Sequence, residues 1–246
     1  MNDTIAQLRE RRSVRAYTDE PVSAADERAI LEAACQAPTA GNQQLYSIIV
    51  VRDQAEREEL SVTCDNQPFI AKAPLVLVFC VDVLRWYRAF VAAGAEPREP
   101  GVGDFLLALE DTAIAAQNAV VAAHSLGLGS CYIGDILERR EDQARILGCP
   151  RHVVPAVMLV IGHPTEGQLK RVKPVRLPLE DIVFENRYPE QDDAGCLRAL
   201  EPKRTGTGTP EDWARAFCER KWNSGFSREM TRSAAAILAD FATDVS

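Results

Sequence analysis

A group of basic side chains near the N-terminus is the first feature that suggests ligand chemistry. Arg11, Arg12 and Arg15 surround Ser13 in the segment RRSVR. Guanidinium groups bind phosphate through paired hydrogen bonds, and a serine hydroxyl adds a donor, so one interpretation is an anion site. The other is a solvated helix end whose basic side chains complement the helix dipole. Spacing alone leaves both interpretations open.

Two further segments have the composition of ligand-contacting loops. In TAGNQQ, residues 39–44, small side chains would let a planar ligand lie against the backbone, and Asn42 and Gln44 would pair with its polar edge. The glycine-rich segment SLGLGS, residues 125–130, can aim backbone N–H groups at a ligand. Each segment is also compatible with an ordinary connection, a helix-to-strand loop in the first case and a helix stop in the second.

A basic segment at residues 170–176 stands out in a chain that is otherwise acidic. Its charged members are Lys170, Arg171, Lys173 and Arg176. Pro174 and Pro178 favour an extended backbone there. An extended basic segment can aim a cation at a ligand, and it is equally typical of a wrapping tail.

Hydrophobic periodicity predicts the elements that must position these residues. Helices are predicted at residues 4–12, 24–36, 53–62, 86–92, 104–126, 139–147, 213–222 and 227–241, and strands at 46–52, 75–82, 130–134 and 153–162. The apolar runs at 75–82 and 153–162 indicate central strands buried on both faces. The segment 94–103, with two prolines, is either a cover over a site or a plain connector. Residues 190–210 are predicted to form a mobile loop.

The predicted helix at 104–126 is almost wholly apolar, so we expect it to be buried on nearly every side. Its many alanines would let another helix approach closely. The pattern favours a subunit interface over the central helix of a large monomeric core. A membrane span is disfavoured because Glu110 and Asp111 lie side by side near its middle.

Composition narrows the class of protein. The chain has 246 residues, is 46% hydrophobic and 26% charged, and carries a net charge of −8, which argues against a general nucleic-acid binder. Seven cysteines, an odd number without paired spacing, suggest reduced and mostly buried thiols in a cytoplasmic protein. The charged N-terminus lacks the apolar stretch of a secretory signal.

Several well-known site patterns are missing from the sequence. It contains neither a P-loop nor a G-x-G-x-x-G after a strand, and no nucleophile elbow. The three histidines have no metal-ligand spacing to the cysteines, so no metal site is predicted. A chain of this size without such signatures either binds a partner or leaves the chemistry to a cofactor.

Taken in order, the motifs resemble the nitroreductase / flavin reductase family, which binds FMN. The matching segments are RRSVRAY (11–17), APTAGNQQ (37–44), DTAIAAQNAVVAAHSLGLGSCYIG (111–134), VIGHP (160–164) and KPVRLP followed by ENRY (173–178 and 185–188). Each is weak alone, and together they extend from about residue 4 to residue 188. The last pair looks like the larger NADPH-preferring, oxygen-insensitive nitroreductases and flavin reductases.

The resemblance implies an α+β fold with a mixed sheet of four strands flanked by helices. It also implies an intertwined homodimer, with the long helix at the interface and FMN sites built from both subunits. In this interpretation residues 1–190 form the FMN-binding core. Residues 191–246 form a C-terminal extension that packs on the core and on the partner subunit.

The cofactor site is carried over residue by residue. The residues that the resemblance assigns to FMN are Arg11, Arg12, Ser13, Arg15, Pro38, Thr39, Ala40, Gly41, Asn42, Gln67, Tyr132, Ile133, Gly134, Lys173 and Arg176. The first four would hold the phosphate, the ribityl chain and the pyrimidine edge. Loop 38–42 would line the ring, with Asn42 from the partner, and 132–134 would lie beside the reactive N5. The usual K-P-R-L-P is here K-P-V-R-L-P, and the extra Val175 alters how Lys173 and Arg176 are aimed.

The implied function is that of an FMN-dependent NAD(P)H oxidoreductase with a ping-pong cycle, acting on nitroaromatic, quinone or flavin acceptors. The flavin carries the chemistry and no catalytic side chain is expected. Lys203 and Arg204, in the predicted mobile loop, would bind a 2′-phosphate and favour NADPH over NADH. The alternatives are a dehalogenase, enone reductase or desaturase on the same scaffold, a flavin-binding protein with little turnover, and a dimeric scaffold without a cofactor.

Overall fold

The computed structural model describes residues 2–242, and these divide into two compact units. The first contains residues 2–170 and 229–242, and the second contains residues 171–228. Almost all of the predicted site residues belong to the first unit. Lys173, Arg176, Lys203 and Arg204 belong to the second.

A four-stranded sheet forms the centre of the first unit. Its strands are β1 (Tyr46–Val50), β2 (Leu75–Asp82), β3 (Gly129–Ile133) and β4 (Val153–Gly162), arranged in the order β1-β2-β4-β3. All three pairings between these strands are antiparallel. A parallel bridge between Ser13 and Ser130 adds the N-terminal segment beside β3. The four strands themselves are antiparallel, so the mixed sheet that the resemblance implies is not found among them. Strands β2 and β4 pair along their whole length and are almost entirely buried, as predicted for central strands.

Helices cover both faces of the sheet in the first unit. They are α1 (Asp3–Glu10), α2 (Ala24–Cys35), α3 (Gln54–Thr63), α4 (Phe69–Lys72), α5 (Leu84–Ala92), α6 (Val102–Ser125), α7 (Arg140–Ile146) and α8 (Glu166–Leu169). Side-chain caps explain several of the starts, because Asn2, Ser23 and Asp53 each accept a hydrogen bond from the backbone three residues on. Together with the sheet, these elements confirm the predicted α+β class.

The long helix α6 packs against α2 and the sheet through its alanines, but one face remains open within the chain. Ala108, Ala115, Ala116 and Ala119 are completely buried. Leu106, Leu107 and Ile114 are 52%, 41% and 40% exposed. Burial on nearly every side is therefore not achieved by one chain alone. By length and composition α6 is the one described helix that could cross a membrane, although 44% of its most apolar window is buried inside the protein.

Two glycines allow the N-terminal segment to lie directly on the sheet edge. A Cβ on Gly129 would come within 2.6 Å of a Val14 methyl carbon, and a Cβ on Gly162 would come within 2.6 Å of Pro74 and 2.9 Å of Tyr17. Distances this short are not found between real Cβ atoms and their neighbours. Glycine at these two positions therefore permits the close approach that places residues 11–17.

The chain returns to the first unit through the end of α11 (Gly225–Asp240). Phe241 is fully buried, with its ring centroid 5.1 Å from that of Phe105 and 4.9 Å from that of His152. Arg140 forms an ion pair with Asp240. Aromatic packing and a partly buried ion pair thus fix residues 229–241 on the first unit.

The second unit corrects one prediction. Residues 190–210 were expected to form a mobile loop, but they contain α9 (Asp193–Leu200) and a short 3-10 turn at Glu201–Lys203. Asp192 caps α9 by accepting a hydrogen bond from the Gly195 N–H at 2.6 Å. The polar run QDDAG is therefore the N-terminal cap of a helix. Helix α10 (Pro210–Phe217) follows and continues as a π-turn at Cys218–Trp222.

Candidate functional site

The arginine segment is held against strand β3 by backbone and tyrosine hydrogen bonds. The Val14 N–H donates to the Ser130 carbonyl at 3.0 Å. The Tyr17 hydroxyl donates to the carbonyls of Val14, at 2.7 Å, and Val160, at 3.0 Å. The backbone between Arg11 and Arg15 is therefore placed by the sheet and does not depend on any ligand.

A cavity of about 270 Å³ lies where the arginine segment meets the glycine-rich exit of α6. Arg11 and Arg12 line it together with the backbone of Gly127, Gly129 and Ser130. This brings together two of the features that the sequence analysis treated separately. Basic side chains and glycine backbone share one concave surface, as expected for an anion site.

Arg11 and Arg12 differ in how their guanidinium groups are engaged. Arg12 Nη1 donates to the Leu169 carbonyl at 2.8 Å. Arg11 Nη1 is buried and has no hydrogen-bond partner among the described residues. A buried donor without an acceptor is costly, so this atom calls for an acceptor from outside the chain.

The end of β3 presents the next group of predicted residues. Tyr132 is half-buried, and its hydroxyl donates to the Gln117 side chain at 3.1 Å. Burial raises the pKa of Tyr132 to about 12, and the nearby Arg11 acts in the opposite direction. Ile133 is buried, whereas Gly134 is exposed where the strand gives way to a 3-10 turn, Gly134–Leu137. The structure therefore brings Arg11 and Tyr132 together.

The thiol of Cys131, in β3, lies close to residues of the arginine segment. Burial raises the pKa of this thiol, and Arg15, Ser13 and Arg11 oppose the rise. Three positions of the segment are thus close enough to Cys131 to influence its charge. This supports an electropositive surface along β3.

Loop 38–42 is organised by a residue that sequence reasoning overlooked as functional. The carboxylate of Asp111, buried on α6, accepts hydrogen bonds from the Thr39 hydroxyl, from the Ala40 N–H at 3.0 Å and from the Leu45 N–H at 3.3 Å. A carboxylate in an otherwise apolar helix requires such partners. That requirement was the signal in the sequence that could have identified Asp111.

The same loop has an unusual backbone. Gly41, Asn42 and Gln44 have φ angles of 55°, 55° and 51°, in the left-handed region. Pro38, Gly41 and Asn42 are exposed. Neither of the cavities beside the arginine segment is lined by residues 38–42. Within one chain the loop is therefore not joined to the arginine site.

Gln67 lies in a turn that leads towards Arg15. Its side-chain amide donates to the Cys64 carbonyl at 2.8 Å. The next two residues, Pro68 and Phe69, line a second cavity of about 720 Å³ together with Arg15. Pro68 and Phe69 thus share a cavity with Arg15, while the assignment of Gln67 to the ring edge stays a prediction.

The predicted residues of the second unit have different surroundings. Lys173 is half-buried, whereas Arg176 and the inserted Val175 are exposed. Lys203 is exposed at the end of the Glu201–Lys203 turn, and Arg204 Nη1 donates to the Gly208 carbonyl at 2.5 Å. The assignment of these four residues to a ligand stays a prediction.

The cysteines of the chain lie in both buried and exposed positions. All seven cysteines are free; Cys64, Cys80 and Cys131 are buried, Cys149 is half-buried, and Cys35, Cys196 and Cys218 are exposed. The expectation of mostly buried thiols is therefore wrong for three positions. Among residues 2–242, no group of three or more His, Cys, Asp or Glu side chains is arranged to hold a metal ion.

Comparison with known proteins gives the family. A model of the nitroreductase family matches residues 8–163, more than half of the chain. The chain belongs to the nitroreductase family. The matched range contains the arginine segment, loop 38–42, Gln67 and the end of β3, so this part of the predicted site lies in the family's shared core.

Relatives of the chain extend beyond that core. The FMN reductase (NADPH) of Bacillus subtilis is 37% identical over 195 residues, covering 78% of this chain and 77% of that protein. The oxygen-insensitive NADPH nitroreductase of Salmonella typhimurium is 39% identical over 193 residues, or 78% of each. The structure of the NfrA1 nitroreductase of B. subtilis has a TM-score of 0.78 at 31% identity and covers 94% of this chain and 98% of that one.

In this nitroreductase-family chain, Glu138 is a buried carboxyl next to the predicted site. It follows the Gly134–Leu137 turn and is only 5% exposed. Burial, followed by the neighbouring charges of Asp135, Asp65 and Glu229, raises the pKa of Glu138 from 4.5 to about 7 against the opposing charge of Arg139. Below pH 4.5 the carboxyl is protonated in both folded and unfolded chains. Between pH 4.5 and 7 the folded state holds the proton more tightly, so stability is lost as the pH rises through this window.

We therefore expect Glu138→Gln to flatten the pH dependence of the unfolding free energy. In the unchanged protein, Glu138 contributes a slope of at most about 1.4 kcal/mol per pH unit in this window, the value for one proton. Urea unfolding at pH 5, 6, 7 and 8 measures it. Glu56→Gln, at an exposed position of α3, is the matched control. Parallel pH profiles for the unchanged protein and the Glu138→Gln variant would contradict the assignment.

Proposed function

We propose that the protein is an FMN-dependent NAD(P)H oxidoreductase that transfers two electrons to nitroaromatic, quinone or flavin acceptors. The observation that carries the proposal is the buried Arg11 Nη1, which lacks a hydrogen-bond partner within residues 2–242. Arg11 also lines a cavity together with Arg12, Gly127 and Gly129. The FMN phosphate supplies the acceptor that this atom lacks. The names of the FMN reductase and NADPH nitroreductase relatives support the same activity.

The chain offers suitable groups for each part of this cofactor. Arg11, Arg12 and Ser13 would hold the phosphate and ribityl chain, and Arg15 the pyrimidine edge. We assign a further set of residues to the ring: Pro38, Thr39, Ala40, Gly41, Asn42, Gln67, Tyr132, Ile133 and Gly134. We assign Lys173 and Arg176 to the phosphate or pyrimidine side. Positive charge at that edge stabilises an anionic reduced ring.

When bound, FMN supplies the redox chemistry, accepting two electrons from NAD(P)H and passing them to the acceptor in a ping-pong cycle. The side chains of the protein would orient the cofactor and shield its ring. Tyr132 and Ile133 place apolar surface beside the ring, and the arginine segment neutralises the cofactor's charge. No side chain is assigned as a proton donor or nucleophile.

We further propose a homodimer in which α6 lies at the interface. Leu106, Leu107 and Ile114 form an exposed apolar face on this helix. Loop 38–42 lines neither cavity of the arginine segment in its own chain, which fits a site completed by the partner's loop. The division into a core at 1–190 and an extension at 191–246 remains part of this proposal. The free cysteines support the proposed cytoplasmic location.

The visible absorption spectrum of the purified protein, recorded before and after anaerobic addition of NADPH and then NADH, tests the function. A flavin spectrum that bleaches on addition supports the oxidoreductase. A flavin spectrum that persists indicates a desaturase or a flavin carrier. A colourless protein that does not take up added FMN would refute the proposal.

Coenzyme preference is tested separately at Lys203 and Arg204, which we propose bind the 2′-phosphate of NADPH. Changing both to alanine should raise the KM for NADPH about tenfold or more, because one charge-assisted contact of about 1.5–3 kcal/mol is lost, and should leave the KM for NADH unchanged. Steady-state kinetics with both coenzymes give the comparison. Equal KM values before and after the change would refute this assignment.

A further inference from the structure

A cavity of about 460 Å³ lies between α5 and the segment 94–101, separate from the arginine site. Its apolar lining comes from Trp86 and Phe90, whose ring centroids are 5.6 Å apart, and from Leu45, Val83 and Leu107. A volume of this size is typical of small-molecule pockets, which range from about 300 to 1,000 Å³. The aromatic and aliphatic surface favours a ligand with a flat apolar body.

The outer wall of this cavity is fixed by polar contacts. Arg98 makes two hydrogen bonds to the Asp104 carboxylate, at 2.6 and 2.9 Å. The Gly101 N–H donates to the same carboxylate at 2.8 Å, and the Tyr87 hydroxyl donates to Glu99 at 2.6 Å. The segment is therefore held over α5 by its own hydrogen bonds, so the cavity is preformed.

The charges around the cavity disfavour an anionic ligand. The guanidinium of Arg98 is already paired with Asp104, and Glu96, an acidic residue, is also among the residues that line the cavity. The side-chain amide of Gln43, which makes no hydrogen bond within the described residues, offers one donor and one acceptor. A neutral ligand with a single hydroxyl, carbonyl or nitro group matches this arrangement.

We propose that this cavity is a binding site for an uncharged aromatic molecule of one or two fused rings. The ring system packs between Trp86, Phe90 and Leu107, and its polar group meets Gln43. The Trp86 indole N–H donates to the Gln43 carbonyl at 2.7 Å, which connects the cavity to loop 38–42. None of Arg11, Arg12 and Arg15 lines the cavity, so the proposal does not depend on FMN binding.

Titration calorimetry with 2-naphthol, on oxidised and FMN-saturated protein without NAD(P)H, tests the site. We expect one site per chain, and binding of 2-naphthoate at least tenfold weaker because its carboxylate meets Glu96 and finds Arg98 occupied. Phe90→Ala should weaken 2-naphthol binding about fivefold or more. Val91→Ala is the matched control, because Val91 is exposed on the same helix and does not line the cavity.

Phe90 is 40% exposed and Leu107 41% exposed, so Leu107→Ala provides a second variant if Phe90→Ala does not fold. Because Leu107 also belongs to the α6 face that we assign to the homodimer, sedimentation must show that Leu107→Ala keeps the oligomeric state of the unchanged protein. Absence of 2-naphthol binding, equal binding of 2-naphthoate, or binding that survives both variants would overturn the proposal. Binding that perturbs the flavin absorption and survives Phe90→Ala places the probe at the cofactor. A second copy of the chain fills the cavity if the unchanged protein does not bind 2-naphthol and sedimentation shows that Phe90→Ala converts a dimer into a monomer. Either result refutes the proposal.

Discussion

Changing Arg11 to alanine should weaken FMN binding by about ten- to hundredfold while leaving the cofactor-free protein at least as stable as before. Arg11 Nη1 is buried and lacks an acceptor among residues 2–242. A charge-assisted hydrogen bond to phosphate contributes about 1.5–3 kcal/mol, and about 1.4 kcal/mol corresponds to a factor of ten in affinity. Without FMN, the buried and unpartnered Arg11 Nη1 is a cost to folding, and alanine removes that cost.

Two measurements separate these effects. Quenching of FMN fluorescence by the apoprotein gives the affinity, and urea unfolding of the apoprotein gives the stability. Arg9→Ala, at an exposed position of α1, removes the same charge and should change the affinity little. Arg12→Ala should have a smaller effect than Arg11→Ala, because Arg12 already donates to the Leu169 carbonyl. If Arg11→Ala destabilises the apoprotein and leaves FMN affinity unchanged, Arg11 is a structural residue.

Local patterns predicted the four strands and the longer helices of the first unit, but not the one-turn helices α4 and α8. The apolar runs of β2 and β4 can only be central strands, since their residues alternate between two buried faces. Ser23 and the following acidic residues mark the start of α2. The prediction for 190–210 failed because a helix capped by Asp192 and rich in polar residues has the same composition as a loop.

The site was predictable only in part, because its geometry depends on contacts distant in sequence. The sequence shows RRSVR, but it does not show that Gly129 lets Val14 approach the sheet and so places the arginines along β3. Neither does it distinguish Arg11, whose Nη1 has no hydrogen-bond partner among the described residues, from Arg12, whose Nη1 donates to the Leu169 carbonyl. Residues next to each other in the chain acquire different roles from the surfaces they meet.

Asp111 shows the same dependence on distant contacts, because its carboxylate accepts a hydrogen bond from the hydroxyl of Thr39, which lies 72 positions away in the sequence. In the sequence, Asp111 is one of the few polar residues in an apolar helix, and it argued against a membrane span. In the structure its carboxylate is 3% exposed and connects α6 to both ends of loop 39–45. Three donors would lose their acceptor if this carboxylate were removed.

Asp111→Ala should therefore lower the free energy of unfolding by about 3–5 kcal/mol, because it leaves the buried Leu45 N–H, the part-buried Ala40 N–H and the Thr39 hydroxyl without an acceptor. It should also weaken FMN binding, since loop 38–42 would lose the bonds that hold its left-handed backbone. Asp111→Asn retains one acceptor oxygen. Its unfolding free energy and its FMN affinity should therefore lie between those of the unchanged protein and those of Asp111→Ala.

Glu110→Ala is the matched control for this change, because Glu110 is the neighbouring residue, is exposed, and lies in the same helix. Alanine favours helix at an exposed position, so Glu110→Ala should leave the unfolding free energy unchanged or slightly higher. Hydrogen exchange gives a local readout: the amides of Ala40 and Leu45 should exchange faster in Asp111→Ala, and those of β2 should change only as global stability changes. Equal unfolding free energies for the two alanine variants, with unchanged exchange at Ala40 and Leu45, would show that the loop holds its conformation without Asp111.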